Sequence, residues 1–280
     1  MSTDTKQGKL RKIVLDLLHE HEQAGEDALP TNARFLFYEL VQRGVLEKHK
    51  PKGATGRRSD QDLHEALTYL RQTGAVPWDW IIDETRSLDD YTGWPSIDAW
   101  AATSVNHIRL DPWGGRAPLA LTESRSAAGA LRNLAIRYCT KLAATNGQVG
   151  GFLHTDVAPQ LVPGDRVLYI GDFDWQGHQI ESNTRRVLER LIGGELDWER
   201  IALTAHQLDQ YDLRRLQIEK PDRRYKPVRY HPAVETEALK QQVLVRIVRA
   251  QLDAELPEPL ETVLEREKQQ RDRLARLLAA

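Results

Sequence analysis

Two apolar segments of the chain are each followed directly by carboxylates. Residues 119–122 end at Glu123, and residues 166–171 run into Asp172 and Asp174. Ligands of open α/β sheets bind beyond the carboxyl ends of the strands, so the three side chains would meet if these strands are neighbours. Gathered carboxylates favour a hard divalent cation, Mg²⁺ or Mn²⁺, which suits chemistry at a phosphate. The alternative is that these residues only form turns or cap helices.

A basic segment lies in the first quarter of the chain. Residues 48–58 contain five Lys or Arg side chains and no acid, namely Lys48, Lys50, Lys52, Arg57 and Arg58. Two glycines make this segment flexible. It is interpreted either as a loop or wing that contacts DNA phosphates or as a solvated surface loop.

The elements before and around this segment are short helices. Apolar residues at helical spacing predict helices over residues 8–24 and 60–73, and another that starts after Thr31 or Asn32 and stops near Gly44. With the apolar segment at residues 76–82, this succession is typical of a winged helix-turn-helix, which places a helix in a DNA groove. Residues 1–110 are therefore predicted to be a DNA-binding domain with a linker, including one helix around residues 95–107.

The pattern changes after the Gly- and Pro-rich residues 111–118. Strands and helices then alternate, which predicts an α/β fold with a parallel sheet covered by helices. The domain would span residues 111–255, with a C-terminal helix within 256–280. Gly171 and Gly177 would let the loop between them turn tightly. We expect strands at 119–122, 149–153, 166–171 and 201–203, and helices at 125–144, 179–192, 232–254 and 257–279.

Composition narrows the class of protein. The 280 residues carry a net charge of −2, which argues against a protein that coats nucleic acid non-specifically but allows a local basic patch. Cys139 is the single cysteine, so an intramolecular disulfide and a cysteine-based zinc site are excluded. The sequence has no run of about 18 apolar residues, so we expect no membrane-spanning helix. A reducing cytoplasm, in association with the nucleoid, is the expected location.

The motifs around the carboxylates resemble a known family. Glu123 after an apolar strand, with Gly-Asp-Phe-Asp-x-x-Gly at 171–177, is similar to the Toprim domain, a Rossmann-like parallel-sheet fold. The version it resembles is that of the type IIB DNA topoisomerase A subunit and the meiotic double-strand-break transesterase. Residues 201–207, 220–224 and 234–239 resemble later landmarks of the group. The chain departs from the group at Trp175, where proline is usual, and at Glu237, where aspartate is usual.

The resemblance extends upstream to residues 34–38, which match an arginine-x-x-tyrosine-tyrosine segment with Phe37 in place of the first tyrosine. It implies that Tyr38 attacks a DNA phosphate while Glu123, Asp172 and Asp174 hold Mg²⁺ or Mn²⁺. Arg34 lies one helical turn before Tyr38 and could stabilise its phenolate. The alternative for Tyr38 is simple core packing. Lys220 and Arg224 would reach the phosphate if the resemblance holds, and otherwise are surface charges.

The expected partners follow from this chemistry. Double-stranded DNA would be the substrate, and a homodimer could set the tyrosine of one subunit against the metal of the other, giving paired cuts. The chain has no P-loop, so a topoisomerase would need a separate ATPase partner. Two alternatives remain: hydrolysis of DNA by metal-activated water without a tyrosine adduct, and a non-catalytic DNA-binding module with a degenerate Toprim site.

Overall fold

The structure is a computed structural model and describes residues 5–48, 58–83, 88, 90–147, 150–214 and 233–278. It has the predicted α/β class, with helices packed around parallel strands. Lys50, Lys52, Arg57, Lys220 and Arg224 lie outside the described residues. In the part of the chain that is described, no helix is long and apolar enough to cross a membrane.

The described residues of the N-terminal part form three α-helices and two very short strands. These are α1 (Lys6–Ala24), β1 (Thr31–Asn32), α2 (Ala33–Gln42), α3 (Ser59–Gln72) and β2 (Ile81–Ile82). Asn32 caps α2 as expected, since its side chain accepts hydrogen bonds from the backbone of Arg34 and Phe35. The apolar segment at 76–82 is mostly not a strand, because Trp78–Trp80 forms a 3₁₀ helix and only Ile81–Ile82 pairs, in parallel, with β1.

The helix expected at residues 95–107 is α4 (Ile97–Ser104), which continues as a 3₁₀ turn at Val105–His107. A four-stranded parallel sheet follows, in the order β4-β3-β5-β6. Its strands are β3 (Leu119–Thr122), β4 (Lys141–Ala144), β5 (Arg166–Ile170) and β6 (Asp197–Ala202). The helices of this part are α5 (Arg125–Arg137), α6 (Gly150–Phe152), α7 (Trp175–Ile192), α8 (Ala205–Gln210), α9 (Gln241–Glu255) and α10 (Leu260–Leu278).

Two expectations about this part were wrong. The helix predicted at 125–144 ends at Arg137, because Cys139 takes a left-handed backbone conformation and residues 141–144 then pair with β3. The strand predicted at 149–153 is helical over its described residues, because β4 already occupies that edge of β3 and Leu153 packs into the core from a helical turn. Val149 lies outside the described residues.

Other boundaries shifted without changing the element type. β6 begins at Asp197, four residues before the expected start. The helix predicted from residue 232 begins only at Gln241, because Val234 pairs with Phe173 and Thr236–Ala238 forms a 3₁₀ turn. That turn packs against α2 and lies next to the carboxyl ends of β3 and β5.

Candidate functional site

The register of the sheet places Glu123 and Asp172 side by side. Thr122 stands opposite Ile170 in the parallel pair, so both strands end at the same level. The backbone N–H of Glu123 donates to the carbonyl of Ile170 at 2.9 Å. The backbone N–H of Asp172 donates to Glu123 Oε2 at 3.2 Å. We call this position, with Glu123, Asp172 and Asp174, the carboxylate edge.

The two aspartates are held by different donors. Asp172 Oδ1 accepts from the backbone N–H of Thr236 at 2.8 Å and from its hydroxyl at 3.0 Å. Asp174 Oδ1 accepts from the backbone N–H of Gly177 at 2.6 Å and caps α7. One carboxylate oxygen of Asp174 therefore caps a helix, as the alternative interpretation of these residues expects. The second oxygens of Glu123, Asp172 and Asp174 accept no hydrogen bond from a described residue.

The glycines of this loop serve close packing. Neither has a positive φ, so the expected tight turn is not their function. A Cβ on Gly177 would lie 2.4 Å from the carbonyl oxygen of Asp172, and one on Gly171 would lie 2.6 Å from the ring of Tyr169. The first turn of α7 thus needs glycine to pack against the backbone of Asp172.

Arg200, on β6, donates hydrogen bonds to backbone carbonyls at the carboxylate edge. Its Nη1 donates to the carbonyls of Gly171 at 2.9 Å, Leu203 at 3.1 Å and Asp172 at 3.3 Å. Its Nε donates to Glu181 at 2.7 Å. Nothing in the sequence marked this arginine, because alternation along a strand does not say which arginine turns toward a loop.

Burial and mutual repulsion oppose ionisation at this edge. Burial, reinforced by the charge of Asp172, raises the pKa of Glu123 to about 7. Burial, reinforced by the charge of Glu237, raises the pKa of Asp172 to about 6. Burial also raises the pKa of Glu235 to about 7, although Arg34 opposes this. A cation between these groups would relieve the repulsion.

Two cations from the N-terminal part reach the same place. Arg34 Nε lies 2.7 Å from Glu237 Oε1, and its Nη2 lies 3.0 Å from Glu235 Oε2. The ammonium group of Lys48 contacts Glu235. Burial lowers the pKa of Lys48 while the charges of Asp172 and Asp174 raise it, and the net change is downward. Lys48 thus lies near the carboxylate edge.

Tyr38 packs beside both of these cations. Its ring centroid is 5.5 Å from the guanidinium carbon of Arg34 and 5.6 Å from Lys48 Nζ. The ring meets Phe37 edge to face at 5.4 Å, and the residue is 5% exposed. Tyr38 also lines a cavity of about 890 Å³. Arg34 therefore lies beside the ring of Tyr38, and Tyr38 is packed as the alternative interpretation expects.

Of the predicted DNA-binding residues, Lys48 and Arg58 are described. Arg58 precedes α3, lines the same cavity as Tyr38 and pairs with Asp60 at 2.6 Å. The acids that join the carboxylate edge to α2, Glu235 and Glu237, were not among the predicted site residues. The sequence feature that could have indicated them is Glu-Thr-Glu at 235–237. It lies in the segment 234–239, which the sequence analysis used only for its resemblance to the family.

A divalent cation fits Glu123 and Asp172 as a pair. Both offer carboxylate oxygens, both have raised pKa values, and Mg²⁺ is commonly bound by one or two carboxylates with water and phosphate completing its shell. Among the described residues, no group of three or more His, Cys, Asp or Glu side chains is arranged to hold a metal ion. Asp174, the third predicted ligand, uses one carboxylate oxygen to cap α7.

Comparison with protein-family models, curated proteins and solved structures found no match to this chain.

Proposed function

We propose that this protein cleaves the phosphodiester backbone of DNA with a divalent cation bound at the carboxylate edge, and that Tyr38 is the nucleophile. One observation carries the proposal. Two neighbouring parallel strands end at Glu123 and Asp172, where the backbone N–H of Asp172 donates to the Glu123 carboxylate, and cations beside Tyr38 contact acids of the adjoining segment. Mg²⁺ or Mn²⁺ would be the cofactor, and the finer fold that we propose for the chain is a winged helix followed by a Toprim domain.

The carboxylates and the cations near Tyr38 have separate proposed roles in the reaction. Glu123 and Asp172 would hold the cation, and Asp174 would join them or keep α7 in place. The cation, when bound, supplies positive charge to the scissile phosphate. Arg34 and Lys48 would face phosphate oxygens and stabilise the Tyr38 phenolate. The phenolate oxygen would form a bond to phosphorus, and the departing sugar oxygen would leave with its electron pair and take up a proton.

Hydrolysis by water is the second candidate, and the burial of Tyr38 favours it. A side chain that is 5% exposed and packed against Phe37 needs a conformational change before it meets a phosphate. In this case water would attack the phosphate at the same edge and no covalent adduct would form.

The partners proposed are double-stranded DNA and a second copy of the chain, since two sites are needed to cut two strands. A topoisomerase activity would add a separate ATPase partner. Lys48, Lys50, Lys52, Arg57 and Arg58 are proposed to contact DNA phosphates, together with Lys220 and Arg224. We also propose that the protein is cytoplasmic and associates with the nucleoid.

Cleavage of supercoiled plasmid in Mg²⁺ or Mn²⁺ tests the proposal. Wild type, Tyr38→Phe and Glu123→Gln are compared, and each reaction is stopped with detergent to trap DNA linked to protein. Trapped adduct and cleavage that are lost in both variants support transesterification. Cleavage that persists in Tyr38→Phe without adduct supports hydrolysis. DNA binding without any cleavage by wild type supports the alternative of a non-catalytic DNA-binding module.

A further inference from the structure

A tyrosine hydroxyl is buried beside the carboxylate edge. Tyr169, on β5, is 0% exposed, and its hydroxyl has no hydrogen-bond partner among the described residues. A Cβ added to Gly171 would lie 2.9 Å from this hydroxyl oxygen. The hydroxyl therefore ends against the backbone that leads directly into Asp172.

The pleat of the sheet puts Glu123 on the same face as Tyr169. Leu121 stands opposite Tyr169 in the parallel pair, and both side chains belong to one apolar cluster. Side chains alternate along a strand, so Glu123, two residues after Leu121, emerges on that face as well. Strand pairing continues to this point, since the backbone N–H of Glu123 donates to the carbonyl of Ile170. The hydroxyl and the carboxylate thus lie at the same end of the same face.

The ring of Tyr169 is fixed, and its hydroxyl keeps its hydrogen. The ring stacks on Trp198 with centroids 5.4 Å apart, and the guanidinium carbon of Arg200 lies 5.1 Å from its centroid. Burial raises the pKa of Tyr169 and the charge of Glu123 raises it further, although Arg200 opposes this. The phenol therefore stays protonated and remains a hydrogen-bond donor.

A hydroxyl buried in this way destabilises the fold. Phenylalanine would fill the same place without an unsatisfied polar atom, so the tyrosine calls for an explanation other than packing. One oxygen of Glu123 also accepts no hydrogen bond from a described residue. Carboxylates that bind metal ions are themselves hydrogen-bonded by neighbouring groups that orient them. Tyr169 is a donor of this kind on the face where Glu123 emerges.

We propose that Tyr169 is a positioning residue for the cation, whose hydroxyl donates to the Glu123 carboxylate in the cation-bound protein and fixes the oxygen that faces the cation. The inference rests on the proposed function through its cation site. It is independent of whether Tyr38 or water attacks the phosphate.

Calorimetric titration with Mn²⁺ and urea unfolding in EDTA test the proposal on the full chain. Tyr169→Phe removes only the hydroxyl. Tyr138→Phe is the matched control, because Tyr138 is also buried, 3% exposed, but its hydroxyl donates to Asp253 on α9 at 2.6 Å.

The two variants should behave in opposite ways. Tyr169→Phe should bind Mn²⁺ about tenfold more weakly than wild type, the scale of a lost donor to a metal ligand. Its free energy of unfolding in EDTA should not fall, since no hydrogen bond of the metal-free protein is removed. Tyr138→Phe should be less stable than wild type in EDTA and should bind Mn²⁺ with unchanged affinity.

Equal Mn²⁺ affinity of wild type and Tyr169→Phe would overturn the proposal. So would a Tyr169→Phe chain that is destabilised or unfolded in EDTA, because the hydroxyl would then serve the fold. Weaker binding by Tyr169→Phe together with no DNA cleavage by wild type would refute the proposed function alone. No Mn²⁺ binding by folded wild type would refute both.

Discussion

Replacement of Asp172 by asparagine should stabilise the metal-free protein at alkaline pH. Asparagine keeps the Oδ1 oxygen that accepts from Thr236 and removes a charge that repels Glu123 and Glu237. A residue that binds a cation is expected to destabilise the fold when the cation is missing. The substitution should therefore raise stability and abolish cation binding together.

The magnitude follows from the pKa of Asp172, which burial and the charge of Glu237 raise from 3.8 to about 6. At about 1.4 kcal/mol per pKa unit, the ionised carboxylate costs about 3 kcal/mol at pH 8. The pKa of Asp172 in the folded state lies above its value in the unfolded chain. The free energy of unfolding that depends on protonated Asp172 is therefore fully present below about pH 4 and is lost as the pH rises through about 6. The loss corresponds to a change in Tm of roughly 6 °C or more.

Thermal unfolding in EDTA from acidic to alkaline pH measures this effect. We expect the Tm of wild type to fall between pH 5 and pH 8, and that of Asp172→Asn to fall less by the contribution of Asp172, while Glu123 and Glu235 keep a pH dependence of their own. Asp156→Asn is the control, since Asp156 is exposed and should show the wild-type profile. Excess Mg²⁺ should remove most of the difference by stabilising wild type. A Tm of Asp172→Asn at or below that of wild type at pH 8 would refute the reasoning.

Three further outcomes are expected. Gly177→Ala should lose about 1–3 kcal/mol in urea unfolding, since the added Cβ meets a backbone carbonyl at 2.4 Å, whereas Gly151→Ala, with nothing within 4 Å, should not. Arg200→Gln should lose about 2–4 kcal/mol in the same measurement, because three carbonyl oxygens lose their charged donor, and unchanged stability would contradict this. An equimolar mixture of Tyr38→Phe and Glu123→Gln chains should regain nicking of the plasmid, because a mixed dimer with the tyrosine of one subunit at the carboxylates of the other holds one complete site, and a mixture as inactive as each variant alone would contradict that arrangement.

The strands that carry the carboxylates could be predicted because their signals are local. Residues 119–122 and 167–170 are largely apolar and are followed by turn residues, and both lie in buried strands. The adjacency of these strands was a condition of the sequence argument, and the parallel pairing of β3 with β5 meets it. The strand at 141–144 was missed, because Lys-Leu-Ala-Ala extends the helical pattern of the preceding residues, and the left-handed backbone at Cys139 that ends the helix is not visible in the sequence.

The remainder of the site depends on contacts distant in sequence. Glu237 meets Ser124 across more than a hundred residues, and Arg34 meets Glu235 across about two hundred. Charge type alone does not say which of the chain's 39 basic residues face which of its 41 acids. The cap role of Asp174 was predictable as a type of contact, but its partner Gly177 follows only from the start of α7.

Calorimetric titration of the metal-free protein with Mn²⁺ tests the central claim most directly, because Glu123 and Asp172 are proposed to bind the cation as a pair. Wild type should bind one cation per chain, with binding lost in both Glu123→Gln and Asp172→Asn and kept in Asp156→Asn. Binding of equal strength in all four proteins, or no binding by folded wild type, would contradict the account.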